Sequence, residues 1–180
     1  DKDPGVRRTA VRALGWLGGE KHVQPILRLY RAEKPGTDDC WVYADALARL
    51  GEQTVSLQLA VKAMKSTNWN VRHFAVLAIS FNKSPAVVRA VLSLLPDELA
   101  RTVAEMKAHH LGDRVLVGLC RELTKRTDAQ YGPDIAAWMT WWSAMAPKYG
   151  AEAPTQTLIA ETKRIQAEYY RLLGRKVTPK

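Results

Sequence analysis

Residues 3–18 read DPGVRRTAVRALGWLG, and the order of residue types along that stretch describes one whole helix. Asp3 has a short carboxylate that can accept the orphan backbone N–H groups of a first helical turn. Pro4 follows at the first helical position, where its missing N–H removes nothing. Val6, Ala10, Ala13, Leu14 and Leu17 then recur three and four apart, which draws one apolar face. Gly18 stands where such a helix should end, and it is expected there as a terminating residue in the left-handed region.

The same pattern returns downstream. The second copy carries Gly36, Asp39, Cys40, Tyr43, Ala46, Leu47, Leu50 and Gly51. The third carries Asn68, Val71, Arg72, Ala75, Ala78, Ile79, Asn82 and Lys83. The fourth carries Asp97, Ala100, Arg101, Ala104, Lys107, Ala108, Leu111 and Gly112. Successive copies are offset by 33, 32 and 29 residues. Asn68 and Asp97 repeat the capping role of Asp3. Gly36 fills that slot in the second copy, with Thr37 beside it to take the role. Gly51 and Gly112 repeat the terminating role of Gly18.

A second amphipathic segment follows each first one, over roughly 22–34, 53–65, 84–95 and 114–126, with Pro25 and Pro85 in first turns, where proline is tolerated. The unit is thus helix, turn, helix, loop, and no strand-like alternation appears. The expected fold is all-α: an α-solenoid of about four helical hairpins, over 3–34, 36–65, 68–95 and 97–126, followed by a C-terminal helical cap. A Trp-rich capping segment is expected over 127–150, and a last helix with a basic tail over 151–180.

DPGVRRTAVRALGWLG at 3–18 and NWNVRHFAVLAI at 68–79 resemble the bacterial HEAT-like repeat associated with phycobilisome lyases. The resemblance covers roughly residues 3–126. Ankyrin and tetratricopeptide signatures are absent. The stretch LTKRTDAQYGPDIAAWMTWW at 123–142 is similar to a tail that closes HEAT-like arrays in some bacterial proteins, which implies an end-cap. Asp134 can cap a helix in which Trp138, Trp141, Trp142 and Met145 fall at i, i+3, i+4 and i+7. Large aromatics suit the covering of a terminal apolar face, and a ligand pocket is the alternative.

The HEAT resemblance implies that second helices line a concave surface. Arg28, Arg31, Lys62, Lys65, Arg89, Arg121 and Lys125 lie on those segments and would form a basic stripe, with one step per repeat of about 10 Å. Such a stripe could track acidic side chains or a phosphate backbone. The alternative is a solvated polar face. Arg7, Arg72 and Arg101 share one slot of the first helices. The resemblance implies that they form an inter-repeat ladder with the caps Asp3, Asn68 and Asp97.

The formal net charge of +9 favours acidic partners. Cys40 and Cys120 belong to no C-x-x-C pattern and sit among apolar residues, so buried free thiols are expected over a disulfide. No apolar run reaches the length of a membrane span, and no signal peptide is visible. The chain starts at Asp1 and not at Met, which predicts a leader or further protein before it; a cytoplasmic or exported soluble chain fits equally. The bare apolar slots of the first copy predict an exposed edge at Val6, Ala10 or Ala13.

No His pair stands at i, i+4, and adjacent His109 and His110 point about 100° apart on a helix, so no metal site is expected. Nucleophile-elbow and phosphate-loop signatures are absent, and no cofactor is implied. The expected function is therefore non-catalytic: a scaffold or adaptor that binds a protein on the concave surface of the solenoid, within a larger chain or complex. The alternatives are a nucleic-acid binder using the basic stripe and a lyase-like chromophore handler.

Overall fold

A computed structural model describes residues 2–108 and 112–174. Every regular element among the described residues is helical. The chain divides into two compact units, one up to Val87 and one from Val88 onward.

In the first unit α1 spans Pro4–Leu17 and α2 Val23–Glu33, joined by a single 3₁₀ turn at Glu20–His22. Next come α3 at Cys40–Arg49, α4 at Thr54–Ala63 and α5 at Trp69–Phe81. Asp3 caps α1, its Oδ1 accepting from the Gly5 N–H at 2.7 Å. Asn68 caps α5 through the Asn70 N–H at 3.0 Å. Thr37 does not cap α3; the chain turns into that helix with the Gly36 carbonyl accepting from the Asp39 and Cys40 N–H groups. The second unit holds the rest of α6, which spans Ala86–Lys107, with α7 at Arg114–Thr127, α8 at Ile135–Met145 and α9 at Gln156–Leu172.

Helix α3 packs on α1 and α2, and α5 packs on α3 and α4. The slot residues of the second and third copies form the core of this unit: Tyr43, Ala46 and Leu47, then Ala75, Ala78 and Ile79, are all buried. Gly15 makes the crossing of α1 and α3 close, because a Cβ there would lie 2.6 Å from the Ala46 Cα. Gly18 corrects an expectation. Its φ of −86° and ψ of −177° are extended, not left-handed. Glycine is needed there for space, since a Cβ would strike the Leu14 carbonyl and the His22 ring. Gly51, at φ +90°, does adopt a positive φ.

The largest departure from the repeat is at the fourth copy. A break was expected between 95 and 97, with Asp97 starting a new helix. Instead α6 runs unbroken through Pro96, and Asp97 is a mid-helix, exposed residue. Pro96 cannot donate to the carbonyl one turn back, which costs the helix a hydrogen bond. Against that cost stands one continuous buried stripe: Val88, Val91, Leu92, Leu95, Leu99 and Val103 are all buried. Each such side chain contributes about 1.5–3 kcal/mol on burial, so keeping the stripe in line outweighs the proline penalty of roughly 3 kcal/mol.

In the second unit Trp138 and Trp142 are buried and Trp141 is half-buried. The Trp138 indole N–H donates to the Gly132 carbonyl at 2.9 Å, so its polar atom is satisfied. Asp134 caps α8 through the Ala137 N–H. Gln166 of α9 holds the same helix start, accepting from the Ile135 N–H at 2.7 Å and donating to the Pro133 carbonyl at 3.2 Å. The tryptophans thus belong to the core of a helical unit closed by α9. His109, His110, Leu111 and the basic tail from Arg175 lie outside the described residues.

Candidate interaction surface

Helices α1, α3 and α5 share a face that carries several exposed aromatic and apolar side chains. Trp16 is 64% exposed on α1, and Trp69, Leu77 and Phe81 are 39%, 40% and 38% exposed on α5. Between them lies α3, which contributes the partly exposed Trp41 and Arg49 and the buried Asp45. Two rows cross the three helices. In one, the Arg49 guanidinium lies 3.6 Å from the Trp16 ring centre and 3.7 Å from that of Phe81. In the other, the Arg12 guanidinium lies 5.4 Å from the Trp41 ring, and Trp41 stacks on Phe74 at 4.3 Å. His73 then packs on Phe74, and Trp69 on His73.

The local chain explains the order of these rows. Residues four apart share a helix face, which sets Arg12 with Trp16, Asp45 with Arg49, and Leu77 with His73 and Phe81. Asp45 accepts two hydrogen bonds from the Arg49 Nε, at 3.0 and 3.1 Å, and fixes the guanidinium between its two rings. Arg8 pairs with Asp39 at the edge of the same face. Arg12, which is exposed, is the cation of this face for which no carboxylate contact is described.

This face was missed in the sequence, although a signal was present. Trp16, Arg49 and Phe81 occupy equivalent positions of successive copies, separated by the same 33 and 32 residues as the caps. That signal lies in the outward slots of the first helices, whereas the basic residues that suggest a stripe stand on the second.

The predicted basic positions have mixed surroundings. In the first unit Arg28, Arg31 and Lys65 are exposed. Lys62 instead donates to the Pro35 carbonyl at 2.9 Å, tying α4 to the α2–α3 connection. In the second unit Arg121 is exposed, Arg89 reaches the Gly150 carbonyl at 3.4 Å, and Lys125 pairs with Glu122 at 2.7 Å.

The three slot arginines also differ. Arg7 pairs with Glu33 of α2, which accepts from the Tyr43 hydroxyl as well. Burial works to raise the Glu33 carboxyl, but the hydrogen bonds from Tyr43 and Arg7 outweigh it and hold it below the usual carboxylate value. Arg72 is fully buried and donates to the Ser66 and Thr67 carbonyls at 3.0 and 3.1 Å. Arg101 is half-exposed, 3.6 Å from Glu98 on its own helix. The caps Asp3 and Asn68 serve their own helix starts, and Asp97 caps nothing.

Cys40 and Cys120 are buried free thiols. Burial raises Cys40 to about 11 against the opposing pull of Lys62, and raises Cys120 to about 12. Among the described residues no three His, Cys, Asp or Glu side chains gather as metal donors, and no helix is long and apolar enough to cross a membrane. No family model, curated protein or solved structure matches the chain.

Proposed function

We propose that this chain is a non-catalytic binding module, a HEAT-like helical solenoid, that holds a protein partner on the outward face of α1, α3 and α5. The carrying observation is the pair of exposed aromatics Trp16 and Phe81 with the mostly covered guanidinium of Arg49 held between them. Tryptophan and arginine dominate the binding energy of protein interfaces, and contiguous apolar exposure is uncommon on surfaces that meet only water. Arg49 is already held by Asp45, so docking against it costs little side-chain ordering.

The basic second-helix residues carry less weight. Lys62 and Lys125 spend their charge on internal partners. A phosphate-tracking stripe needs free cations in a row.

The test is affinity purification with cross-linking of the full chain. The Trp16→Ala/Phe81→Ala double variant should lose the protein that wild type retains, with its helical circular dichroism unchanged. An Arg28→Glu/Arg31→Glu variant should retain it. Recovery of nucleic acid alone, with binding that falls steeply as salt rises, would overturn the proposal in favour of a nucleic-acid binder.

A further inference from the structure

Along α5 the outward side chains form one ridge, in which Trp69, His73, Leu77 and Phe81 stand four residues apart. Trp69, Leu77 and Phe81 are exposed, and His73 is partly so. The ridge runs about 18 Å along the helix. α5 is an interior helix of the chain, with α3 and α4 packed on it and α6 to α9 following in sequence. The ridge stays exposed although the elements on both sides of it in sequence are present.

The backbone of a helix limits what can lie on such a ridge. The interior N–H and C=O groups of α5 bond within the helix, so it offers a partner only side chains. An extended segment laid on Trp69, Leu77 and Phe81 would lose water from its own N–H and C=O groups with nothing to replace it. A helix arrives with those groups already bonded, and an apolar stripe of its own can interlock with a ridge of four-residue spacing.

Charge defines the flanks of that helix. Residues 53–87 hold α4 and α5 and carry four Lys and Arg with no Asp or Glu. The carboxylates before them are engaged within the unit: Asp38 accepts from the Ser66 hydroxyl, Asp39 pairs with Arg8, Asp45 holds Arg49, and Glu52 accepts from the Ser56 N–H. Lys65 precedes α5 and Lys83 follows it, both exposed, with no carboxylate contact described for either. A second copy docked through the same ridge would bring these lysines together, which like charge opposes. We infer that the protein partner docks on this face with an amphipathic helix lying along α5, its apolar stripe on Trp69, Leu77 and Phe81 and its flanks acidic. The inference rests on the reading of the α1, α3 and α5 face as a protein-binding surface, and it names the element that surface receives.

The probe is a fluorescein-labelled synthetic helix of about 16 residues, long enough to span the ridge, with leucine and alanine on one face and glutamate on both flanks. It is titrated into the full chain by anisotropy. Two controls share its length: one with lysine flanks, and one with the same composition scrambled to destroy the apolar face. The acidic amphipathic peptide should bind at least ~10-fold more tightly than either control. Leu77→Glu, at an exposed position, should weaken it by at least ~10-fold with circular dichroism unchanged. Lys65→Glu/Lys83→Glu, which leaves the apolar ridge intact, should turn the preference toward the lysine-flanked peptide. The protein retained in affinity purification should be lost from both variants.

Absent binding, equal binding of the scrambled peptide, or no effect of Leu77→Glu would overturn the inference. So would a wild-type dimer by light scattering that Leu77→Glu converts to monomer, or binding to phosphatidylserine vesicles with none to the peptide, since the occupant would then be a second copy or a lipid surface. A retained protein that Trp16→Ala/Phe81→Ala loses but Leu77→Glu and Lys65→Glu/Lys83→Glu both keep would overturn this inference alone and leave the binding module standing; no retained protein at all would remove both.

Discussion

Arg72→Met removes a buried charge while keeping most of the side-chain volume, and the outcome depends on which of two effects dominates. Burying a guanidinium is costly, and replacing a whole buried ion pair by apolar residues is often neutral. At Arg72, however, the acceptors include two backbone carbonyls just past the end of α4, and these remain when the arginine goes. Charge-assisted hydrogen bonds are worth about 1.5–3 kcal/mol each, and a buried carbonyl left without a donor costs about 1–3 kcal/mol. Ser66 is buried, so its carbonyl stays dry, whereas exposed Thr67 can be rehydrated. The expected loss is therefore about 2–4 kcal/mol. With a urea slope on the order of 1–1.5 kcal/mol per molar for a unit of this size, the midpoint should fall by roughly 2 M. The measurement is urea unfolding of the full chain by far-ultraviolet circular dichroism, beside Arg8→Ala as a control. Arg8 pairs with Asp39 at a partly exposed site, and its loss should cost about 0–1 kcal/mol. A loss below ~1 kcal/mol in Arg72→Met would refute the reasoning, because the arginine would not then be holding the end of α4.

Gly15→Ala should destabilise by about 1–3 kcal/mol in the same assay, since its Cβ meets the Ala46 backbone, while Gly36→Ala, with open space around it, should be near neutral. Because Glu33 is held below the usual carboxylate value, the unfolded chain takes up its proton first. The stability it supplies is thus complete above the ordinary carboxylate range and is lost as pH falls through its lowered folded value; Glu33→Gln should flatten that acid limb, and an unchanged pH profile would count against the Arg7–Glu33–Tyr43 cluster. Cys40 and Cys120 should resist thiol reagents at pH 8 in the folded chain and react once urea unfolds it; rapid native labelling of either would contradict their burial and raised pKa values.

Residue types in order along the chain were enough to determine that it is helical, and where several helices begin. Asp3, Asn68 and Asp134 act on N–H groups within one turn, so their roles follow from their neighbours in sequence. Thr37 and Gly18 show the edge of that reasoning, because a turn or a crowded carbonyl can end or start a helix without the expected cap. The apolar slots at three- and four-residue spacing likewise marked Tyr43, Leu47, Ala75 and Ile79 as core.

Tertiary packing decided the rest. Pro96 and Asp97 carry a strong local signal for a helix boundary, yet the stripe from Val88 to Val103 buries as one surface, and its sum exceeds a single proline's penalty. Arg7, Arg72 and Arg101 look alike in sequence, but neighbouring helices leave one against Glu33, bury one against carbonyls and leave one half-exposed. The Trp16–Arg49–Phe81 row exists only because α1, α3 and α5 lie side by side. Local signals act through backbone groups a few residues apart, whereas burial and ring contacts act across helices, and only packed helices bring those partners together.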